Sequence, residues 1–418
     1  MGGGPAGTEA AAEAARNGAE VTLLEGSESP LPAKSLWPEL IGSPKLYRSD
    51  SHPAPRISSV DVIYGRPAIS VGPSSSVVTS EGRSNFDSVV IATGKKALFR
   101  AFPGFRKPGV YVLDGLSKYI ELGRRRASID RAVVYGQGLP AMQVAERLCR
   151  EGRRVTFLSS GGMLEKGLSP EINRILKERI VETGVSFVEA RLDRAVGIDS
   201  VEAVVAGGRV IPCDTVAVVP GRVPNFPPGS MRIGPRGGIL VDSNLRSTSR
   251  DCFAAGGCAE LPIHGRARTI LLCQSAPASG RTAGANASGQ NLVLKAVGSF
   301  AATVFGLGLV GAGLGLKEAR DIGLEVVETA RRWGPTTACS IIHDRLTGRV
   351  VGVQAVGVSA ESSSASLSFI VSHSLNLRTM AYADVGGSTD ISLVAETARQ
   401  GIHWGERAVG QGSDLRPA

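Results

Sequence analysis

The sequence predicts an α/β fold in which two strand–turn–helix units are followed by a separate α+β domain. The first observation is a G-x-G-x-x-G pattern in residues 2–7, and the second is a G-x-G-x-x-A pattern in residues 136–141. Each pattern opens a helix-like stretch that leads into a strand-like one. Such turns let backbone N–H groups at a helix N-terminus approach a pyrophosphate. The patterns therefore predict two Rossmann-like dinucleotide sites, which suits electron transfer from a nicotinamide to a flavin.

The composition is that of an ordinary globular protein. Of 418 residues, 42% are hydrophobic and 20% charged, and the length suits two or three domains. The net charge is +9, but the basic residues are scattered and only 5% of residues are aromatic. A nucleic-acid surface needs clustered cations or an aromatic stacking platform. We therefore expect anionic cofactors and no nucleic-acid partner.

The six cysteines form neither a C-x-x-C nor a C-x4-C pair, and we expect no signal peptide. Reduced thiols in the cytoplasm, with no metal site, are the expectation. Residues 296–316 carry no charge and could span a bilayer, which is the alternative interpretation. Their six glycines favour strands and turns over one packed helix. We therefore predict buried strands there and no membrane span.

The first glycine turn follows Met1 directly, whereas a Rossmann unit needs an apolar strand before its turn. We expect that strand to lie upstream of Met1. A helix is predicted at 8–16, and its small residues are suited to close packing on a sheet: Ala10, Ala11, Ala14 and Ala15. The next strand, 21–24, ends at Glu25. That position is where an acidic residue holds a ribose hydroxyl, about 20 residues after the turn.

The remaining elements follow from apolar runs and turn residues. Stretches rich in proline and serine predict loops, or excursions from the main sheets, at 26–55 and 72–84. Apolar runs at 88–94, 132–135 and 215–219 predict strands that end in tight turns. After Gly280, the predicted elements are strands at 337–343 and 349–356 and helices at 362–374 and 393–400. This last group is typical of an α+β domain.

In this order, the two glycine patterns, the turn at 92–94, the G-R-x-P-N run at 221–225 and the F-A-A-G run at 253–256 resemble the pyridine nucleotide–disulfide oxidoreductase family. The tail from Val304 onward resembles the family's dimerisation domain. The resemblance implies an FAD-binding domain at 1–115 and 240–292 and an NAD(P)-binding domain at 116–239. It also implies an interface domain at 293–418 that forms a homodimer.

The resemblance also implies cofactor-binding residues. The ADP half of FAD would be held by Gly2, Gly4, Gly7 and Glu25. The flavin domain would be closed by Ala92, Thr93 and Gly94, and NAD(P)H would be cradled by Gly136, Gly138 and Ala141. The other implied residues are Lys34 beside the flavin, Gly221 in the G-R-x-P-N run, and Gly256 and Gly257 near the flavin.

Departures from the family pattern bear on the chemistry. The family's redox motif is C-x4-C-x-P-[ST]-K, and only its end matches here. Pro30 stands in the place of the second cysteine, and the segment that would carry the first cysteine is missing. The family's His-x4-Glu is replaced by a run from Gly387 to Ser392, which offers a thiol no base. The catalytic residues therefore stay unassigned. Cys258 and Cys273 are the nearest stand-ins for a redox thiol.

Three further positions differ from the family pattern. Gly257 stands in place of aspartate and Gln143 in place of glutamate. Ser159 stands where the second unit's acidic residue is expected, which favours NADPH because a 2′-phosphate loses a repulsive neighbour. The candidate partners for that phosphate are Arg153, Arg154 and Lys166, but solvated surface charge is the default interpretation for each.

These observations predict an FAD-dependent oxidoreductase that takes a hydride from NAD(P)H and passes electrons to a non-disulfide acceptor, either a small molecule or a protein. Hydride transfer between the two cofactor rings does not need the missing cysteines. The alternative is a catalytically inactive relative that serves as a binding or scaffold subunit, since several catalytic positions are lost together. Bound FAD that NAD(P)H bleaches would separate the two.

Overall fold

The computed structural model describes residues 1–28, 60–161, 167–263, 266–269, 275–384 and 389–410. The chain divides into two compact units. The first comprises Met1–Gly136, Arg147–Ser160 and Ala190–Ala296, and the second comprises Gln137–Glu146, Gly161–Glu189 and Val297–Ala418. The three-domain division expected from the sequence stays a prediction.

The helices of the described residues are α1 (Pro5–Arg16), α2 (Leu116–Arg125), α3 (Leu139–Arg150), α4 (Pro170–Glu182), α5 (Ser275–Ala287), α6 (Leu316–Asp321), α7 (Ala360–Ser372), α8 (Leu377–Ala381) and α9 (Thr389–Gly410). Short 3₁₀ helices cover Arg126–Ser128 and Gly256–Cys258. The strands are β1 (Val21–Leu24), β2 (Val60–Ile63), β3 (Ser70–Val71), β4 (Ser76–Thr79), β5 (Gly82–Asn85), β6 (Val89–Ile91), β7 (Lys95–Leu98), β8 (Val110–Val112), β9 (Arg131–Gly136), β10 (Arg154–Ser159), β11 (Ser186–Glu189), β12 (Leu192–Val196), β13 (Ala203–Ala206), β14 (Arg209–Pro212), β15 (Thr215–Val219), β16 (Gly221–Pro224), β17 (Ile239–Leu240), β18 (Cys252–Ala254), β19 (Ala259–Ile263), β20 (Arg266–Thr269), β21 (Phe300–Val304), β22 (Leu307–Gly313), β23 (Val326–Arg332), β24 (Ala338–Asp344) and β25 (Val350–Val356). The predicted α/β class is confirmed.

In the first unit, two pairs of parallel strands meet at the first glycine turn. β1 runs parallel to β2, and β6 runs parallel to β18. The backbone of the first two residues joins the pairs, because Gly2 N donates to Leu24 O (2.7 Å) and Ala92 N donates to Met1 O (2.8 Å). The carboxyl ends of β1 and β6 therefore lie on one edge, together with the turn that leads into α1.

Helix α1 packs closely against α5 in the same unit. A Cβ on Gly280 would lie 2.1 Å from the carbonyl oxygen of Ala6, and a Cβ on Gly284 would lie 2.2 Å from that of Ala10. Glycine at both positions lets the two helix backbones approach. The small-residue face expected to lie on a sheet thus lies mainly against a helix.

A second parallel sheet of the first unit contains β10, β9, β15 and β8 in that order. Residue Val219 at the end of β15 is opposite Gly136 at the end of β9. Strands β12, β13 and β14 form a separate antiparallel sheet. The predicted strands at 132–135 and 215–219 are confirmed, and the second glycine pattern begins at the carboxyl end of its strand.

Of the two predicted possibilities for 72–84, the structure has an excursion and not a simple loop, because this stretch contains β4, most of β5 and the turns before them. β4 pairs with both β3 and β5 in an antiparallel sheet. The serine-rich sequence does form a turn, in which Ser74 and Ser75 have positive φ angles of 52° and 54°. The following Val77 is 2% exposed, so its burial stabilises a strand that the polar composition concealed.

The second unit contains a five-stranded antiparallel sheet in the order β21, β22, β25, β24 and β23. Helices α7, α8 and α9 contribute Ile370, Met380 and Ala398 to its buried core. The uncharged run at 296–316 forms β21 and β22, as predicted, and the predicted strands and helices between 337 and 400 are confirmed. In the described ranges, no helix is long and apolar enough to cross a membrane.

Candidate functional site

The first glycine turn has the backbone geometry of an anion cradle. Gly2 has a φ of +96°, and a Cβ there would lie 2.6 Å from Ala92 O. A Cβ on Gly7 would lie 1.7 Å from Gly2 O, whereas one on Gly4 would meet nothing within 4 Å. Helix α1 begins at Pro5, where the missing N–H is not needed. Backbone atoms therefore fill the space beside Gly2 and Gly7. The space beside Gly4, at the N-terminus of the helix, is empty.

Glu25 lies next to this turn, directly after β1. One of its carboxylate oxygens accepts a hydrogen bond from Gly3 N. The other accepts from Ser27 N (2.9 Å) and Ser27 Oγ (3.0 Å). The carboxylate is thus fixed beside the backbone that would face a pyrophosphate, where a ribose hydroxyl would follow.

The Ala-Thr-Gly turn lies directly after β6 on the same edge. Thr93 Oγ1 donates to Asn225 O, and Asn225 N donates to Gly94 O at 2.9 Å. Gly94 has a φ of +69°, which favours glycine. These bonds tie the end of β6 to the end of β16, which pairs antiparallel with β7.

The 3₁₀ turn after β18 completes this edge. Gly256 has a φ of +69°, and a Cβ there would lie 2.8 Å from the Cβ of Ala6 in the first turn of α1. Gly256 N donates to Ser279 Oγ at 2.9 Å. A Cβ on Gly257 would lie 2.9 Å from Lys95 Cγ. Both glycines are therefore in close contact with the elements around the first glycine turn.

The structure thus brings nine of the predicted residues to the carboxyl edge of the first unit's parallel strands: Gly2, Gly4, Gly7, Glu25, Ala92, Thr93, Gly94, Gly256 and Gly257. Ligands of open α/β sheets bind at such an edge. The arrangement of glycines without Cβ atoms fits a dinucleotide. Lys34 lies outside the described residues.

Gly221 lies elsewhere, at the carboxyl edge of the second parallel sheet. It comes two residues after Val219, which is opposite Gly136. In the β7–β16 pair, Gly221 is opposite Leu98, at the end away from Gly94. Its place therefore suits the second glycine turn, not the first.

The second glycine pattern also joins a strand to a helix. β9 ends at Gly136, Gly138 has a φ of +81°, and α3 begins at Leu139. Ala141 is fully buried. Pro140 lies in the first turn of α3, so this turn offers an anion one N–H fewer than the pattern ordinarily supplies.

The structure does not bring Arg153 or Arg154 to Ser159, which favours the default interpretation of these residues over a contact with a 2′-phosphate there. Ser159 is at the carboxyl end of β10, and both arginines are at its amino end, about 17 Å away at 3.3 Å per residue. Arg153 donates to Ile129 O at 2.8 Å, and Arg154 forms an ion pair with Asp130. Ser159 itself is fully buried. Lys166 lies outside the described residues.

Cys258 is poorly suited to act as a redox thiol. It is fully buried, and its Sγ donates to Ile91 O and Ala255 O, each at 3.3 Å. Burial raises the pKa of the Cys258 thiol, so the reactive thiolate is disfavoured. The same cause raises the pKa of Cys213 and Cys339 to about 12. Cys273 lies outside the described residues.

Sequence reasoning missed Lys95, at the first site, and Glu260, elsewhere in the same unit. Lys95 follows Gly94 directly, and its aliphatic chain lies against Gly257. Glu260 is 0% exposed, and its carboxylate accepts hydrogen bonds from Arg236 N and Gly238 N at 3.1 Å. A buried carboxylate held by backbone N–H groups fixes the loop before β17.

In the described part of the chain, no group of three or more His, Cys, Asp or Glu side chains could hold a metal ion.

Comparison with known proteins identifies the family to which this chain belongs. The family model for pyridine nucleotide-disulphide oxidoreductases matches residues 1–285. The NAD(P)H sulfur oxidoreductase (CoA-dependent) of Pyrococcus abyssi is 27% identical over 294 residues, which are 65% of this chain and 65% of that protein. Rhodocoxin reductase of Rhodococcus erythropolis is 29% identical over 197 residues, which are 45% of each protein. The chain therefore spans less than two thirds of the length of these relatives.

A solved structure shows that the likeness extends beyond the family match. The water-forming NADH oxidase from Lactobacillus brevis has a TM-score of 0.86 to this chain at 17% identity. The superposition covers 97% of both chains. At this identity the comparison shows a shared fold, including the C-terminal α+β part.

Proposed function

This chain belongs to the pyridine nucleotide-disulphide oxidoreductase family, and from that premise we propose that it is an FAD-dependent oxidoreductase. It takes a hydride from NAD(P)H and passes electrons to an acceptor that is not a disulfide. The single observation that carries this proposal is the first glycine turn, which lies with Glu25 on the carboxyl edge of the parallel strands.

The residues of this edge have separate parts in binding. The N–H groups at the start of α1 would hold the pyrophosphate of FAD, and Glu25 would accept a hydrogen bond from a ribose hydroxyl. The Thr93–Asn225 hydrogen bond holds the end of β6 in place. FAD, when bound there, supplies the hydride-accepting chemistry that no side chain offers.

The buried thiols support a non-disulfide acceptor. A disulfide relay needs a thiolate beside the flavin, and Cys258 is buried, hydrogen bonded to two carbonyls and held protonated by a raised pKa. The relatives' names include both a sulfur oxidoreductase and a rhodocoxin reductase, so the family match alone does not choose an acceptor. We favour a small molecule or an electron-carrier protein.

Three further statements belong to this proposal. The second glycine turn binds NAD(P)H through Gly136, Gly138 and Ala141. The protein is a homodimer through residues 293–418, as the resemblance to the family implies. It acts in the cytoplasm, which is supported by cysteines that show no pairing motif.

The test uses the full chain after incubation with FAD and removal of excess cofactor. A retained flavin spectrum, bleached by anaerobic NADH or NADPH, is the expected result. Reduction of an artificial one-electron dye is then assayed beside reduction of lipoamide, glutathione disulfide and coenzyme A disulfide. Dye reduction without disulfide reduction supports the proposal. Disulfide turnover at a rate similar to that of the dye would refute the choice of acceptor.

A catalytically inactive binding or scaffold subunit is the second candidate. The observation that favours it is Pro140, which removes one N–H from the second glycine turn. The expected result is then retained FAD without bleaching by either nucleotide. Pro140→Ala tests the cause, because a gain of nucleotide binding in that variant would show that the proline had weakened the site.

A further inference from the structure

An open cleft lies between the loop that follows β7 and the loop that follows β12. It has a volume of about 630 Å³ and is lined by residues 102–108 and by Ile198. Small-molecule sites in proteins are usually clefts of about 300–1,000 Å³ with a mostly apolar lining and a few polar groups. This cleft therefore has the size of a ligand site, and its whole lining belongs to the first unit.

Specific contacts hold the two sides of the cleft together. Ala195 N donates to Pro103 O at 2.9 Å, and Lys107 Nζ donates to Gly197 O at 2.7 Å. A Cβ on Gly104 would lie 2.2 Å from Ala195 O, so the two backbones are in close contact there. The cleft is therefore preformed, as binding sites usually are.

The lining of the cleft leaves apolar groups accessible to solvent. Phe102 and Phe105 are half-buried, and with Phe99 they form a cluster in which the ring centroids are 5.4–6.3 Å apart. Ile198, on the other side, is 87% exposed. An apolar group bound in the cleft would remove this surface from water, which is favourable. The cleft thus suits a ligand with an apolar body.

The charged groups of the lining are two cations, Arg106 and Lys107, and it contains no carboxylate. Lys107 is engaged by the other side of the cleft, whereas Arg106 is exposed, with its guanidinium 5.1 Å from the centroid of the Phe105 ring. Within the residues that the structure describes, Arg106 has no carboxylate partner. An arginine without a counter-ion can bind a carboxylate through two parallel hydrogen bonds. The charge therefore selects an anionic ligand.

We propose that this cleft binds a small carboxylic acid with an apolar body, whose carboxylate pairs with Arg106 and whose body lies against Phe102, Phe105 and Ile198. The site goes beyond the proposed oxidoreductase function and uses none of the residues of the two glycine turns. A second copy of this chain is a poorer occupant. The chain has a net charge of +9, and a symmetric contact through this face would bring two Arg106 guanidinium groups together.

The test uses two probes of similar shape and different charge, 2-naphthoate and 2-naphthamide. Equilibrium dialysis measures their binding to the full chain with FAD and NADPH in excess, so that the nucleotides compete for both glycine turns. We expect 2-naphthoate to bind about tenfold more tightly than 2-naphthamide, as for one charge-assisted hydrogen bond. Equal binding of the two probes, or no binding of 2-naphthoate, would overturn the proposal.

Two arginines of one segment give a matched pair of variants. Arg106→Gln removes the charge from the cleft, whereas Arg100→Gln removes an equal charge from an exposed side chain that does not line it. We expect Arg106→Gln to weaken binding of 2-naphthoate about tenfold and to leave 2-naphthamide unchanged. Arg100→Gln should change neither. An equal effect of both variants on 2-naphthoate would show a general effect of net charge and refute the site.

Ile198→Ser tests the apolar part of the site. The side chain is exposed, so this variant should fold, and it removes a contact that both probes make. We expect it to weaken both probes by a similar factor, about threefold. Unchanged binding of both probes would place them outside the cleft. None of these measurements depends on bound flavin, so the proposed function and this site can fail independently.

Discussion

The backbone of Ala10 lies so close to Gly284 that a Cβ at position 284 would stand 2.2 Å from the Ala10 carbonyl oxygen. The oxygen is part of α1, so it can move only if the helix moves, and the first glycine turn opens that helix. We expect Gly284→Ala to lower the free energy of unfolding by about 1–3 kcal/mol through overpacking. FAD retention should fall with it. Thermal unfolding and flavin fluorescence measure the two effects.

The control for this packing prediction is Gly115→Ala. A Cβ on Gly115 would meet nothing within 4 Å, and its φ of −146° suits any residue. We expect the control to unfold close to the unmodified chain. Equal destabilisation by both variants would contradict the argument from close helix approach.

Thiol reactivity should follow burial. Cys258, Cys213 and Cys339 are buried and have raised pKa values, whereas Cys149 is only half-buried. We expect iodoacetamide at neutral pH to modify Cys149 before any of these three in the folded protein, because the thiolate is the reactive form. Peptide mass spectrometry after timed quenching measures the order. Early modification of Cys258 would restore it as a candidate redox thiol.

Nucleotide preference tests the second glycine pattern. We expect NADPH to bind at least as tightly as NADH, because Ser159 leaves no carboxylate to repel a 2′-phosphate. Titrations of both nucleotides at one salt concentration measure this. A clear preference for NADH would contradict it. Because Ser159 is fully buried, Ser159→Glu should also lower the unfolding temperature, so any change in preference needs a stability control.

His343 should make stability depend on pH. Its Nδ1 lies 3.2 Å from Asp344 O, which can only accept, so Nε2 is left to accept from Thr329 Oγ1 at 3.3 Å. Burial lowers the pKa of His343 below its usual 6.5. The unfolded chain therefore binds the proton more readily, and stability falls as the pH drops below about 6.5.

Thermal unfolding on both sides of that pH measures the effect. His343→Gln removes the titrating group, so the loss of stability just below pH 6.5 should be smaller in this variant. The pKa of Asp344 is also lowered, by hydrogen bonds from Thr347, but its contribution is lost only at more acidic pH. An unchanged pH profile in His343→Gln would show that other groups govern this range.

The proposed homodimer can be tested on an exposed aromatic pair. Phe369 on α7 is 57% exposed and stacks on His373, with ring centroids 3.9 Å apart. Exposed aromatic groups are typical anchors of subunit interfaces. We expect Phe369→Glu to convert the dimer to a monomer in light scattering. Ile198→Glu, at an 87% exposed site of the first unit, should leave it dimeric. A monomeric unmodified chain would refute the dimer itself.

The sequence by itself determined the local elements and the turns between them. Glycines at 2, 4 and 7 predicted a turn into a helix, and alternating or continuous apolar runs predicted most of the confirmed strands. These features depend on backbone conformation and on residues close together in the chain, so local sequence patterns are enough to predict them. At 72–84 the choice between a loop and an excursion stayed open, because serine signals a turn while the burial of Val77 in a strand was not visible.

Only the tertiary structure decided which distant residues meet. The approach of Ala10 to Gly284 and the contact of Lys95 with Gly257 each join segments more than 150 residues apart in the chain, and the buried Glu260 accepts from Gly238 N on a neighbouring strand segment. Likewise, Arg153 lies just before β10 and Ser159 lies at its end. The extended strand therefore separates two residues that are close together in the sequence. Side-chain partners depend on how close-packed elements share space, and that depends on the whole fold.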